Sequence, residues 1–146
     1  MLFNYTFLGL ALAAQSLAAP TVTKLLPRVT HDGVATYYDQ DGGTGSCGNA
    51  YPDSALIIAL SNYWQDDESP GPYCGRKIQI TNTGGGQDNN GVGTVVVATV
   101  EDTCPSCTET HLDLSQGAFK ALTGGNLDPP GQIDISWHFC NADGQC

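Results

Sequence analysis

The sequence is poor in basic residues: five Lys and Arg stand against fifteen Asp and Glu, which gives a formal net charge of −10 at pH 7. Of the five, only Arg76 and Lys77 are adjacent. Because phosphate recognition needs clustered cations, nucleic acid is excluded as the expected partner. An acidic surface is compatible with an extracellular protein that meets a neutral polymer.

Long apolar runs are also lacking beyond the N-terminus, so neither a transmembrane helix nor a membrane partner is expected. The N-terminus carries a short apolar stretch, Phe7 to Ala14, followed by the small residues Ser16, Ala18 and Ala19. This pattern predicts a signal peptide over residues 1–18 and therefore a secreted, extracellular protein. We expect a flexible leader or pro-segment over 19–32 and one folded domain over 33–146.

Patterns for metal and phosphate binding are missing. The three His residues never occur at i, i+4 spacing, and the CxxC motif at 104–107 has no second CxxC. No Lys follows the Gly-rich stretch 39–48 where a phosphate loop requires one. We therefore expect no metal and no cofactor. Six Cys in a secreted chain indicate disulfides, which favours a structural bridge over a redox pair at 104–107.

The residues that are present favour an all-β barrel or sandwich with one or two short helices, since Gly is abundant and β-branched runs are short. Alternating segments predict strands over 33–38, 77–81 and 132–139, and Trp137 falls on the buried face of the last one. Apolar runs over 56–60 and 95–100 predict buried strands. Ser115 can cap a helix over 116–122. The segment 62–73 reads as an exposed polar loop that carries Trp64.

Two carboxylates flank one turn in the centre of the chain. Asp102 follows the apolar run 95–100, and Asp113 lies two residues before the Ser115 cap. A strand end and a helix start are both rigid, so the two acids could be held across a groove, as glycoside hydrolysis requires. Helix-start electrostatics and turn chemistry are the structural alternatives for the same spacing.

Six short motifs follow one another along the chain in a characteristic order. They are Gly33-x-Ala35-Thr36-Tyr37, Ser46-Cys47-Gly48, Cys74-Gly75-x-x-Ile78-x-Ile80, Val100-x-Asp102-x-Cys104-Pro105, His111-Leu112-Asp113-Leu114-Ser115-x-x-Ala118-Phe119 and Ile135-x-Trp137. Together they resemble the domain shared by expansins, rare-lipoprotein-A proteins, barwin-type proteins and family-45 endoglucanases, and most of all the fungal single-domain loosenins. The resemblance implies a six-stranded, barwin-like double-psi β-barrel.

The resemblance also implies roles for single residues. Asp113 is similar to the general acid of the endoglucanases and to the Asp that expansins need for wall loosening without bond cleavage. Asp102 and Thr36 are implied to line the same groove. We expect Tyr38 and His111 to bind substrate beside them, because Tyr38 shares the strand face of Thr36 and His111 lies two residues before Asp113. Trp64 is a candidate for stacking on sugar.

A second catalytic carboxylate is not found where the endoglucanases have their base. Asp39 lies one residue short of that position, and a shift of one residue turns a side chain to the opposite face of a strand. We therefore expect a monomeric protein that binds cell-wall polysaccharide, cellulose or chitin, and loosens it without hydrolysis. The alternatives are a glycoside hydrolase or lytic transglycosylase with Asp113 as general acid, and a small secreted protease inhibitor or effector acting through loops 39–48 and 62–73.

The disulfide pattern is only partly implied. The resemblance favours a Cys47–Cys74 bridge. Cys104, Cys107, Cys140 and Cys146 could pair locally, as 104–107 and 140–146, or cross.

Overall fold

The computed structural model describes residues 28–146, in which six strands close into a barrel in the order β1-β5-β2-β4-β3-β6. The strands are β1 (His31–Tyr38), β2 (Ile57–Ser61), β3 (Lys77–Gly84), β4 (Val95–Cys104), β5 (Leu112–Ser115) and β6 (Ile133–Phe139). The helices are α1 (Asn62–Gln65) and α2 (Gln116–Leu122), and a 3₁₀ turn covers Gln87–Asn89. The expected all-β fold with two short helices is confirmed. No helix within residues 28–146 is long and apolar enough to cross a bilayer.

Two strand pairs are parallel, β1 with β5 and β2 with β4, and the other four are antiparallel. Alternate side chains point inward and form the core, led by Ile58, Leu60, Ile78, Ile80, Leu112, Leu114, Ile133, Ile135 and Trp137. The Trp137 side chain is fully buried, and its Nε1 donates a hydrogen bond to the carbonyl of Thr110 at 3.0 Å. Its predicted place on the buried face of β6 is confirmed.

Strand β4 is half exposed. Val96, Ala98 and Val100 point into the barrel, whereas the side chains of Val95 and Val97 are 51% and 38% exposed. The expectation of a buried run over 95–100 is therefore wrong, because a barrel strand buries only one of its two faces. The strand also continues to Cys104, so Asp102 lies within a strand and not in a turn.

Strand β5 has only four residues, and the sequence pattern does not predict it. It inserts between β1 and β2, so Asp113 belongs to a strand rather than to a helix start. Ser115 ends β5 and caps α2, because its Oγ accepts a hydrogen bond from the backbone N–H of Ala118 at 3.2 Å. Helix α2 has the predicted bounds.

Three disulfides hold loops and the tail against the barrel: Cys47–Cys74, Cys104–Cys107 and Cys140–Cys146. The bridge implied by the resemblance and both local pairings are confirmed.

The predicted signal peptide, 1–18, and the leader up to residue 27 lie outside the described residues. β1 begins at His31, so the last two residues of the predicted leader, 31 and 32, belong to the barrel.

Candidate functional site

Four residues from four strands form one row across the barrel. Thr36 on β1 pairs with Asp113 on β5, Asp113 pairs with Ala59 on β2, and Ala59 pairs with Asp102 on β4. Paired residues point to the same face of a sheet, and the flanking residues of these strands point into the core, so the row lies on the outer face. With neighbouring strands ~4.8 Å apart, the backbones of the two acids are ~9.5 Å apart. We call these four residues the carboxylate row.

A β-bulge aims Asp102 outward. The β2–β4 register shifts between Ile58, which pairs with Val100, and Ala59, which pairs with Asp102, so Glu101 is an extra residue. Strict alternation after Val96, Ala98 and Val100 would send residue 102 into the core. The extra residue reverses the alternation, as bulges do. The carboxylate row therefore depends on this bulge.

Asp113 is bonded to side chains. The Thr36 hydroxyl donates to Asp113 Oδ1 at 2.7 Å, and Thr36 Oγ1 lies 2.8 Å from His111 Nε2. Burial raises the pKa of Asp113, and the negative charge of Asp102 adds to the rise, while the Thr36 hydrogen bond and His111 oppose it. Burial lowers the pKa of His111, with Asp113 acting in the opposite direction. When Asp113 is ionised, a neutral His111 therefore donates from Nε2 to Thr36, which donates to Asp113.

Asp102 is bonded to backbone. Its Oδ1 accepts hydrogen bonds from the N–H groups of Ser46 and Thr103, both at 2.8 Å. The hydroxyls of Ser46 and Thr103 are also hydrogen-bonded, at 2.6 Å. At Gly45 an added Cβ would collide with the carbonyl oxygen of Glu101, so the loop approaches β4 too closely for any side chain there. Asp102 thus fixes the Gly-rich loop on the strand.

Tyr38 lies beside the row, two residues after Thr36. Burial raises the pKa of its phenol, and the charge of Asp102 raises it further, so the hydroxyl stays protonated. The phenol oxygen accepts a hydrogen bond from Gln40 Nε2 at 3.0 Å. A pocket of about 200 Å³ adjoins Tyr38 and Asp102 and is otherwise lined by Asp39, Gln40, Gly43, Thr44 and Gly45. The structure thus joins an open pocket to the carboxylate row.

Glu101 is a further acid that the sequence analysis does not single out. Its side chain is buried, and its carboxylate accepts hydrogen bonds from Asn49 Nδ2 at 3.1 Å and from the Tyr51 hydroxyl at 3.3 Å. In the sequence, the only sign of the bulge is that the polar residue Asp102 falls where the alternation up to Val100 calls for a core residue. This pattern does not show that Glu101 is the extra residue. Glu101 ties the loop to β4 a second time.

Trp64 is not in the carboxylate row. It belongs to α1, its Nε1 donates to the carbonyl of Glu109 at 2.7 Å, and its ring packs on His31, Tyr73, Trp137 and Phe139. The ring is half-buried, so the expectation of an exposed loop aromatic is wrong. Its neighbour His31 is five residues from Thr36, or ~16 Å along β1.

Asp39 is exposed and accepts a hydrogen bond from Gln116, as suits the predicted loop carboxylate.

No protein-family model matches the sequence, but similar proteins are known. The papain inhibitor of Streptomyces mobaraensis is 33% identical over 111 residues, which span 73% of this chain and 69% of the inhibitor. A solved Streptomyces papain inhibitor superposes with a TM-score of 0.61 at 31% identity, covering 80% of this chain and 99% of that one. A single-residue mutant of the expansin of Clavibacter michiganensis, solved in complex with cellohexaose, superposes with a TM-score of 0.59 at 30% identity and covers 77% of this chain. This chain spans about half of that expansin, 51%.

The barrel order and these neighbours define a double-psi β-barrel protein. The 33% identity to the papain inhibitor, which extends over more than two thirds of both chains, identifies the family as well as the fold. The chain belongs to the expansin-like double-psi β-barrel family.

Proposed function

We propose that this protein is a secreted, extracellular, loosenin-like member of the family that binds cellulose or chitin along the carboxylate row and loosens the polysaccharide without cleaving it. The observation that carries the proposal is the placement of Thr36, Asp113 and Asp102 level on one outer face, with Tyr38 and an open pocket beside them. A mutant form of the expansin of similar fold is bound to cellohexaose in its solved structure, which supports a glycan as ligand.

The row offers hydrogen bonds to sugar hydroxyls. Thr36 occupies Oδ1 of Asp113, which leaves Oδ2 to accept a glycan hydroxyl. The Tyr38 oxygen accepts a bond from Gln40, and its hydroxyl also interacts with the Asp102 carboxylate, so a glycan hydroxyl competes with Asp102 for the phenol proton. Each such bond contributes only ~0.5–1.5 kcal/mol net. Several acting together are needed to compete with the hydrogen bonds between polysaccharide chains, and no covalent step is required.

Cleavage by inversion needs a general acid and a free base whose carboxyl groups are ~6.5–9.5 Å apart. Asp113 and Asp102 lie two strands apart on the same face, so a glycoside hydrolase or lytic transglycosylase remains the enzymatic alternative. Asp102 is nevertheless bonded to two backbone N–H groups of the loop and the strand, and Asp39 is bonded to Gln116. These bonds favour the non-lytic function.

The decisive experiment measures retention on insoluble cellulose and chitin together with the reducing sugar released in the same tube. Asp113→Asn is compared with Asp134→Asn, which removes one charge from an exposed position on β6. We expect Asp113→Asn to weaken retention about tenfold, as loss of a charged hydrogen bond predicts, and Asp134→Asn to have no effect. Unchanged retention of Asp113→Asn would refute the site. Sugar release abolished by Asp113→Asn would establish the enzymatic alternative instead.

Inhibition of a papain-like protease is a second candidate, favoured by the identity to the papain inhibitors. The two loops predicted for that role, 39–48 and 62–73, lie together: the Cys47–Cys74 disulfide links the first to the end of the second, and Ser69 Oγ donates to the Ser46 carbonyl at 2.9 Å. Papain activity on a peptide substrate is measured with wild type and Asp113→Ala. Equal inhibition by both proteins supports this function, and no inhibition by wild type contradicts it.

A further inference from the structure

Three of the four Lys and Arg residues in the described part of the chain lie close together. Residues 28–146 contain four Lys and Arg: Arg28, Arg76, Lys77 and Lys120. The first three lie against the C-terminal tail, Cys140–Cys146, which the disulfide between its ends closes into a small ring. We call Arg28, Arg76 and Lys77 the tail patch.

Hydrogen bonds and packing define the tail patch. Arg28 Nη2 donates to the carbonyl of Gln145 at 3.2 Å, and Arg76 Nη2 donates to the carbonyl of Cys140 at 3.1 Å. The Lys77 side chain runs beside Gly144, where an added Cβ would lie 3.7 Å from its Nζ. Arg28 and Lys77 are exposed, so their charges face solvent. Three positive charges therefore surround one ring of seven residues.

A pocket opens inside this patch. It has a volume of about 190 Å³ and is lined by Gly75, Arg76, Lys77 and residues 141–144. The guanidinium of Arg76 is oriented by the rings of Tyr73 and Phe139, whose centroids lie 5.8 and 5.4 Å from its Cζ. Arg76 Nε is buried and has no hydrogen-bond partner among the described residues. Asp143 also lines the pocket and opposes an anion there.

We propose that the tail patch binds the carboxylate groups of an acidic polysaccharide, a polyuronate chain. A planar guanidinium matches a carboxylate, and an ammonium adds a second point of charge. A polyuronate carries one carboxylate on each sugar, so a single chain can meet several cations in succession, while its hydroxyls suit the polar groups of residues 141–144. The rest of the surface is strongly negative and repels a polyanion, so such a chain binds at this face. This binding does not depend on the carboxylate row.

The test uses the exposed members of the patch, so that folding is retained. Binding of polygalacturonate oligomers is measured by titration calorimetry for wild type, for Arg28→Gln with Lys77→Gln, and for Lys120→Gln as the control. Exposed ion pairs each change affinity up to ~5-fold, and we therefore expect the double variant to bind roughly tenfold more weakly. Lys120 is exposed on α2, away from the patch, and its variant should bind like wild type. Equal affinity of double variant and wild type, or an equal loss in Lys120→Gln, would overturn the proposal.

Further binding measurements identify the ligand and distinguish this site from the carboxylate row. Asp143→Asn should strengthen binding, because it removes the acid from the pocket. Binding should weaken from low to physiological salt, where the Debye length falls to ~8 Å. Polyglutamate of equal charge should bind less tightly than polyuronate; equal binding would refute a polysaccharide ligand. Asp113→Asn should leave polyuronate binding unchanged, so a failure of the carboxylate row on cellulose does not affect this result.

Discussion

Asp113 on β5 and Asp102 on β4 lie level on the same face, yet their partners differ in kind. Asp113 is bonded by the side chain of Thr36, which contacts His111, and burial raises its pKa. Asp102 is bonded by the N–H groups of Ser46 and Thr103 and fixes a loop. A carboxylate whose partners are side chains can exchange them for a ligand at small cost. A carboxylate bonded to backbone N–H groups instead stabilises the fold. The two acids should therefore respond differently to substitution.

The largest expected effect is on stability and belongs to Asp102. Asp102→Ala leaves the Ser46 and Thr103 N–H groups without their charged acceptor, and we expect the free energy of unfolding to fall by about 2 kcal/mol. Asp113→Ala should lower it by about 1 kcal/mol, because only its hydrogen bond with the Thr36 side chain is lost. Urea denaturation of both variants measures the difference. Equal losses would show that both acids are structural and would remove the contrast.

Gly45 tests whether the loop held by Asp102 is packed as closely as the distances indicate. Gly45→Ala places a Cβ against the Glu101 carbonyl, and we expect a loss of roughly 1–2 kcal/mol, as for other overpacked sites. Thr44→Ala, at an exposed neighbour, serves as control. Denaturation midpoints of the two variants are compared. If Gly45→Ala is as stable as Thr44→Ala, the loop is not anchored closely on β4.

Thr36 tests the side-chain network around Asp113. Thr36→Val removes the hydroxyl but keeps the shape, at a cost of about 1 kcal/mol. Because the Thr36 hydrogen bond lowers the pKa of Asp113, its loss should raise that pKa further. The Asp113 carboxyl carbon is titrated by NMR in both proteins, with Asp102 observed in parallel. A pKa of Asp113 that stays constant or falls would contradict the network.

The smallest effect is the pH dependence of stability. The folded-state pKa of Asp113 is raised above its unfolded value of 3.8, so the folded state binds the proton more tightly and stability falls as pH rises from the unfolded to the folded pKa. Asp113→Asn removes this loss. Its stability relative to wild type should therefore be higher at pH 7 than at pH 3, by a small amount because the group is partly exposed to solvent. A difference that is the same at both pH values would contradict the assignment.

Much of the fold follows from local patterns, because strand alternation and the Ser115 cap depend on neighbours in sequence. The motif around Asp113 also indicated the family. The bulge at Glu101 could not be predicted, since it exists only through the pairing of β4 with β2. Nor could β5: the segment Leu112–Ser115 is too short for its alternation to be distinguished from a loop. The burial of the Trp64 ring could not be predicted either, because its sequence neighbours are polar and it packs on Trp137 and Phe139, which are distant in sequence.

The carboxylate row has a consequence for how this scaffold can be varied. Its acids are borne by hydrogen-bonded strands, and the spacing between them is set by the intervening strand β2. A substitution elsewhere that leaves the pairing of β5, β2 and β4 intact keeps that spacing. The distance between the two acids is therefore a property of strand pairing, and ligand preference can be varied through the side chains beside the row while that distance is kept.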